Sequence, residues 1–132
     1  MNEYDKLVIY LMAIEGKAKD IHYTCGGSNF YGNHLFADRI ADGIDEFIDQ
    51  IKETCILGHG KQPLSSKEYY TEAGQFLDGV ASFQSMLELI LNTLIHIENI
   101  KKDVARGDSK LLDDVANHLQ NNKGLLHIML GN

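Results

Sequence analysis

The sequence predicts an all-α fold, and three observations lead to that expectation. Apolar residues recur at spacings of three and four along almost the whole chain of 132 residues, which is the pattern of helices with one buried face. The chain contains a single proline, Pro63, whereas β-sandwiches and barrels have many turns and usually carry more. Its hydrophobic fraction of 44% is ordinary for a packed core, so we expect residues 1–132 to form one domain.

The periodicity divides the chain into four long helices. They are expected at about residues 3–25, 29–57, 77–105 and 110–130, with Val80 on the apolar face of the third. Gly26-Gly27 and Gly107-Asp108-Ser109 form short turns, whereas residues 58 to about 76 form a long connection that contains a short capped helix at Ser65–Tyr70. One long connection between helices two and three predicts the ferritin-like four-helix bundle, in which the second pair crosses over the first.

Charge and cysteine usage exclude several classes of function. With 19 acidic and 12 basic side chains the net charge is −7, which disfavours binding to nucleic acid or to an anionic membrane. No stretch approaches the roughly 20 apolar residues of a membrane span, and the residues after Met1 lack the features of a secretory signal. Cys25 and Cys55 lie far apart without a CxxC context, so we expect two reduced thiols in a cytoplasmic protein.

The second predicted helix carries an acidic stripe, which is the main candidate for chemistry. At 100° per residue, one sector of about 100° contains a histidine and five carboxylates, namely His34, Asp38, Asp42, Asp45, Asp49 and Glu53. Carboxylates at i and i+4 destabilise a helix, and solvated faces usually mix charges of both signs. A bound cation and a solvated polar face explain the stripe about equally well.

A second histidine on the neighbouring helix favours the metal interpretation. His22 precedes His34 by twelve residues, so a tight turn between antiparallel helices brings the two to similar heights. With Asp38 one turn further on, they form a nitrogen and oxygen ligand set that suits iron, manganese or zinc.

These residues resemble the Dps family, the mini-ferritins of starved cells. The family pattern is a histidine, a second histidine twelve residues later, then an aspartate after four, an aspartate after eleven and a glutamate after four. This chain matches all five positions with His22, His34, Asp38, Asp49 and Glu53. It departs from the family in having Tyr23 where a tryptophan usually follows the first histidine, and it begins without the lysine-rich tail that lets some members bind DNA.

The resemblance implies a shell of twelve subunits that oxidises ferrous iron with peroxide or dioxygen and stores the ferric product. It implies a mono-iron or di-iron site across a twofold axis, with His22, His34 and Asp38 from one subunit and Asp49 and Glu53 from its partner. That division fits helix geometry, because Asp38 and Asp49 are about 16 Å apart along one helix. The alternative is a ferritin-like structural or assembly protein whose site is vestigial or binds another, non-redox divalent metal.

The remaining polar residues are expected to have ordinary roles. Asp42 and Asp45 have no counterpart in the five-residue pattern, and we favour solvated positions for them over roles on an inner shell surface. His59 and His96 are expected at the surface, and His118 and His127 are expected to be structural or exposed. No GxSxG, P-loop or GxGxxG sequence supports hydrolase or nucleotide-binding activity.

Overall fold

The computed structural model describes residues 1–131, and in this range the regular structure is entirely helical, without a strand. The all-α prediction is therefore confirmed. Six α-helices follow in chain order: α1 Glu3–Thr24, α2 Phe30–Ala41, α3 Ile44–Glu53, α4 Ser66–Gly74, α5 Phe83–Ile100 and α6 Arg106–Leu130. A π-helical turn, Thr54–Gly58, continues α3, and the 3-10 segments Gln75–Leu77 and Lys101–Asp103 extend α4 and α5.

Helix α1 lies at the centre of the packing. It contacts α2, α3, α4 and α5, while α5 also packs against α6. Its residues Leu7, Leu11 and Ile14 are completely buried, as expected for the inward stripe of a core helix. A capping box starts the helix: the Asn2 side chain accepts from the Asp5 N–H at 2.8 Å, and the Asp5 carboxylate accepts from the Asn2 N–H at 3.1 Å.

The prediction of one continuous helix over residues 29–57 was wrong, because Asp42 and Gly43 interrupt it. Asp42 is extended (φ −61°, ψ 130°), and Gly43 adopts a left-handed conformation with φ 82°. Only glycine takes that conformation without steric cost. The stripe is thus divided between α2, which carries His34 and Asp38, and α3, which carries Asp45, Asp49 and Glu53.

Two boundaries in the second half also differ from the prediction. The third long helix begins at Phe83, where Ser82 accepts from the Ser85 N–H, so Val80 lies outside it and is 92% exposed. Gly107, Asp108 and Ser109 were expected to connect two helices, but they lie in the first helical turn of α6. Periodicity overestimated the third helix because Val80 happens to fit its apolar spacing.

The short helix in the long connection is confirmed as α4. Ser65 caps it, since its hydroxyl accepts from the Glu68 N–H at 3.2 Å and Glu68 in turn accepts from the Ser65 N–H. Tyr69 and Ala73 are its buried residues and pack into the core beside α1. Between residues 1 and 131, no helix combines the length and apolar character that crossing a membrane requires.

Candidate metal centre

His22 and His34 lie against each other at the corner between α1 and α2. Their rings stack with centroids 3.5 Å apart and planes 19° from parallel. Each ring nitrogen Nδ1 contacts the other residue's backbone carbonyl, at 2.8 Å from His22 to His34 and 2.6 Å in the reverse direction. Because a carbonyl only accepts, both Nδ1 atoms are the donors and both Nε2 atoms of the neutral rings carry the lone pair.

The Nδ1–H bond to a carbonyl is a feature that these rings share with metal-binding histidines. Such histidines almost always donate the second ring N–H to a carbonyl or carboxylate, which fixes the tautomer and orients the free nitrogen toward the metal. In this chain each histidine donates to the backbone carbonyl of the other. The exchange is possible because α1 and α2 are antiparallel and the turn between them brings residues 22 and 34 to one height. The expected juxtaposition of His22 and His34 is present in the structure.

Aromatic side chains flank the two histidines, and several of them are exposed. The Phe30 ring stacks on His34 at 5.0 Å, and Tyr23 meets His22 edge-on at 4.9 Å. Tyr23 and the neighbouring Tyr31 are each 74% exposed. Exposed clusters of large apolar side chains are typical of interaction surfaces rather than of ordinary solvated corners.

Asp38 lies one turn beyond His34 on α2 and is exposed. It lines a cleft of about 200 Å³ between α1 and the break, together with Glu15, Lys19, Asp42 and Asp45. Burial raises the pKa of Glu15, the nearby charge of Asp45 adds to that rise, and Lys19 opposes it. The carboxylates here repel one another, so this cleft favours positively charged groups over anions.

Asp49 and Glu53 lie on α3, beyond the break, and both are exposed. Glu53 borders an open cleft of about 540 Å³ between the π-helical turn and the start of α6, which includes Asp108. Over residues 1–131, no three His, Cys, Asp or Glu side chains form a group that could hold a metal ion.

The break also changes how part of the acidic stripe is interpreted. Asp45 and Glu46 occupy the first turn of α3, where the positive end of the helix dipole stabilises carboxylates. Asp42 ends α2, and its N–H still donates to the Asp38 carbonyl at 3.1 Å, so Asp38 and Asp42 lie one turn apart and line the same cleft. The helix dipole therefore explains Asp45 without a cation, whereas the Asp38/Asp42 and Asp49/Glu53 pairs still repel at i and i+4.

Sequence reasoning missed two long-range polar contacts of α1, the first buried and the second only partly buried. Asp5 is 3% exposed and accepts from the Tyr69 hydroxyl at 2.7 Å. Asp108 accepts from the Tyr4 hydroxyl at 2.7 Å, and its carboxylate lies 2.6 Å from His59 Nε2. The capping positions of Asn2 and Asp5 were the one available signal for the first contact. No local pattern indicates the second, because its partners are more than 45 residues apart in sequence.

His96 was expected at the surface, and the structure corrects that prediction. It is 9% exposed, and its Nε2 lies 2.9 Å from the backbone carbonyl of Glu3. Burial is possible because that carbonyl, at the start of α1, satisfies the ring. His118 was expected to be structural or exposed. It is half-buried and packs edge-on against Phe47, so its role is structural.

Comparison with known proteins gave no match: no family model, no curated protein and no solved structure is similar to this chain.

Proposed function

We propose that this chain is an iron-oxidising mini-ferritin of the Dps type, with a ferritin-like four-helix bundle and iron sites formed between two copies. In this proposal His22, His34 and Asp38 of one copy meet Asp49 and Glu53 of the other across a twofold axis. The observation that carries it is the stacked histidine pair, in which each ring is oriented by the other's carbonyl and presents a free Nε2.

Two further features of the chain support a site shared between copies. One chain offers two nitrogen ligands and a nearby carboxylate but leaves Asp49 and Glu53 on a separate helix. A twofold interface is self-complementary, so it joins the two halves and forms the site twice. The exposed aromatic side chains beside the histidines, Tyr23, Phe30 and Tyr31, give such an interface apolar area to bury.

The chemistry follows from the ligand types. Imidazole and carboxylate ligands bind Fe(II) as the substrate while leaving coordination positions for an oxidant. Two ferrous ions each lose one electron, and one peroxide molecule takes up both electrons and two protons to give two waters. Dioxygen is the alternative oxidant. We assign the ferric product to the interior of a shell of twelve copies, in a cytoplasmic protein whose Cys25 and Cys55 are free thiols.

The first experiment measures ferrous oxidation with the purified protein. We expect wild-type protein to accelerate the appearance of ferric iron, and Asp49→Ala/Glu53→Ala to lose that acceleration while keeping its fold. Glu88→Ala/Glu98→Ala is the matched control, because it removes two exposed carboxylates from α5 and should oxidise iron like the wild type. If the wild type and the Asp49→Ala/Glu53→Ala variant oxidise iron at the uncatalysed rate, the proposal is wrong.

The alternative function is a ferritin-like structural or assembly protein with a non-redox or vestigial site. It is favoured by Tyr23, which stands where the Dps pattern has a tryptophan. Binding of a divalent cation without iron oxidation would support it. The mass of the protein in solution tests its assembly. A storage shell has twelve times the 14.8 kDa of one chain, whereas a monomer contradicts the shared site.

A further inference from the structure

The break between α2 and α3 has a specific backbone geometry. The Asp42 N–H ends α2 by donating to the carbonyls of Asp38 at 3.1 Å and Arg39 at 3.3 Å. Gly43 then turns the chain at φ 82° and ψ −8°, and α3 starts at the next residue. A left-handed conformation strains any residue with a β-carbon, so the position of this break depends on Gly43.

Helix α6 holds the break from the opposite side. Asn122 is 4% exposed, and its amide donates to the carbonyl of Ile40, at the end of α2, at 3.5 Å. One turn earlier on α6, His118 Cε1 lies 3.6 Å from the position that a β-carbon on Gly43 would take. The His118 ring also packs on Phe47 of α3, with ring centroids 5.4 Å apart. Because α6 contacts both sides of the break, the interruption is a packed part of the fold rather than a frayed helix end.

The break lies between the two halves of the proposed iron site. His34 and Asp38 precede it on α2, and Asp49 and Glu53 follow it on α3. Rotating the ten residues of α3, a rod about 15 Å long, by about 20° around Gly43 would move Glu53 by about 5 Å. Metal ligands tolerate errors of only about 0.2 Å in bond length. The angle at Gly43 therefore decides whether both halves reach their partners.

We propose that Gly43, held by His118 and Asn122, is a positioning residue that sets the angle between the two halves of the iron site. The inference rests on the proposed function, since it concerns the ligands assigned there. A straight helix through residues 30–53 would keep the apolar stripe in phase but would present Asp49 and Glu53 in a different direction.

The test compares backbone variants with two readouts, using Co²⁺ as the probe and the full chain. Gly43→Ala and Asp42→Ala/Gly43→Ala favour a continuous helix, whereas Gly43→Asn tolerates the left-handed conformation and should rescue the break. Gly79→Ala is the matched control, because Gly79 has the same conformation (φ 83°) with no atom within 4 Å of an added β-carbon. Hydrogen exchange of peptides spanning residues 40–48 reports the break, and visible absorption reports cobalt affinity.

We expect Gly43→Ala and the double variant to slow exchange over residues 43–47 and to weaken cobalt binding by about tenfold or more. Gly43→Asn and Gly79→Ala should bind cobalt within about twofold of the wild type. Slower exchange with unchanged cobalt affinity overturns the inference but leaves the proposed function intact. Exchange unchanged in both alanine variants also overturns it, because Gly43 then does not determine the break. A wild-type protein that binds no cobalt overturns the proposed function together with the inference.

Discussion

Asp5 is a carboxylate that the fold buries and then satisfies completely. It is 3% exposed, caps the first turn of α1 with Asn2, and accepts from the Tyr69 hydroxyl. Tyr69, which is 1% exposed, also accepts from the Leu64 N–H at 3.2 Å. Burial, followed by the hydrogen bond to Asp5, raises the pKa of Tyr69, so the phenol remains a donor at all ordinary pH values. This single hydroxyl ties α4 and its connection to the start of α1.

Tyr69→Phe is expected to destabilise the protein by about 1.5–3 kcal/mol, because it removes the hydroxyl that donates to one oxygen of a buried carboxylate. The measurement is urea unfolding at neutral pH. Tyr70→Phe is the matched control, since Tyr70 is 70% exposed and its hydroxyl should contribute less than about 0.5 kcal/mol. An equal loss of unfolding free energy in Tyr69→Phe and Tyr70→Phe would show that the buried hydrogen bond does not stabilise the fold.

At the level of single residues, sequence reasoning succeeds where the relevant partners are close in the chain. His22 and His34 are expected at one height because a short turn separates them, and the structure places them in contact. The reciprocal Nδ1 hydrogen bonds could not be anticipated, since they depend on the exact rotation of both helices. His96 was misplaced for a related reason, because its partner is a backbone carbonyl 93 residues away.

At the level of elements, the sequence predicts the existence of helices better than their interruptions. The apolar stripe of residues 36–51 continues in phase across Asp42 and Gly43, so periodicity alone indicates one helix. The Asp-Gly dipeptide was the available signal, since such pairs mark turns. Its effect depends on α6, whose Asn122 and His118 accommodate the break from another part of the chain.

The short helix α4 offers a direct test of element stability. Ser65→Ala removes the capping hydroxyl that accepts from the Glu68 N–H, and such a loss costs about 1 kcal/mol. Thermal unfolding should show the decrease, accompanied by faster hydrogen exchange over residues 66–74. Ser66→Ala is the control, because Ser66 is the first residue inside the helix and alanine is well tolerated there. A Ser65→Ala variant as stable as Ser66→Ala would contradict the capping role.

At the level of the whole molecule, the sequence predicts an all-helical chain with a capped helix in its long middle connection, and the structure agrees. The acidic side chains behind the net charge of −7 have several roles and do not form a single metal-binding stripe. Some lie at the start of α3, one caps α1, and others line the cleft around Asp38. How copies assemble lies beyond what periodicity can predict, because it depends on the shape of a surface rather than on its spacing.

The proposed site between two copies makes a quantitative prediction for mixed assemblies. One variant, His22→Ala/His34→Ala, lacks the histidine half, and another, Asp49→Ala/Glu53→Ala, lacks the carboxylate half. In a twofold dimer of one copy of each, one site has lost both halves and the other retains every ligand. With random association at equal concentrations, half of the dimers are mixed, so about a quarter of the wild-type sites are restored.

The decisive measurement is therefore the rate of ferrous oxidation by the two variants, first separately and then after joint refolding. With a site shared between two copies, each variant alone oxidises iron at the uncatalysed rate and the mixture recovers about a quarter of the wild-type acceleration. A mixture as inactive as its two components, formed from variants that still associate, would contradict an iron site shared between two copies.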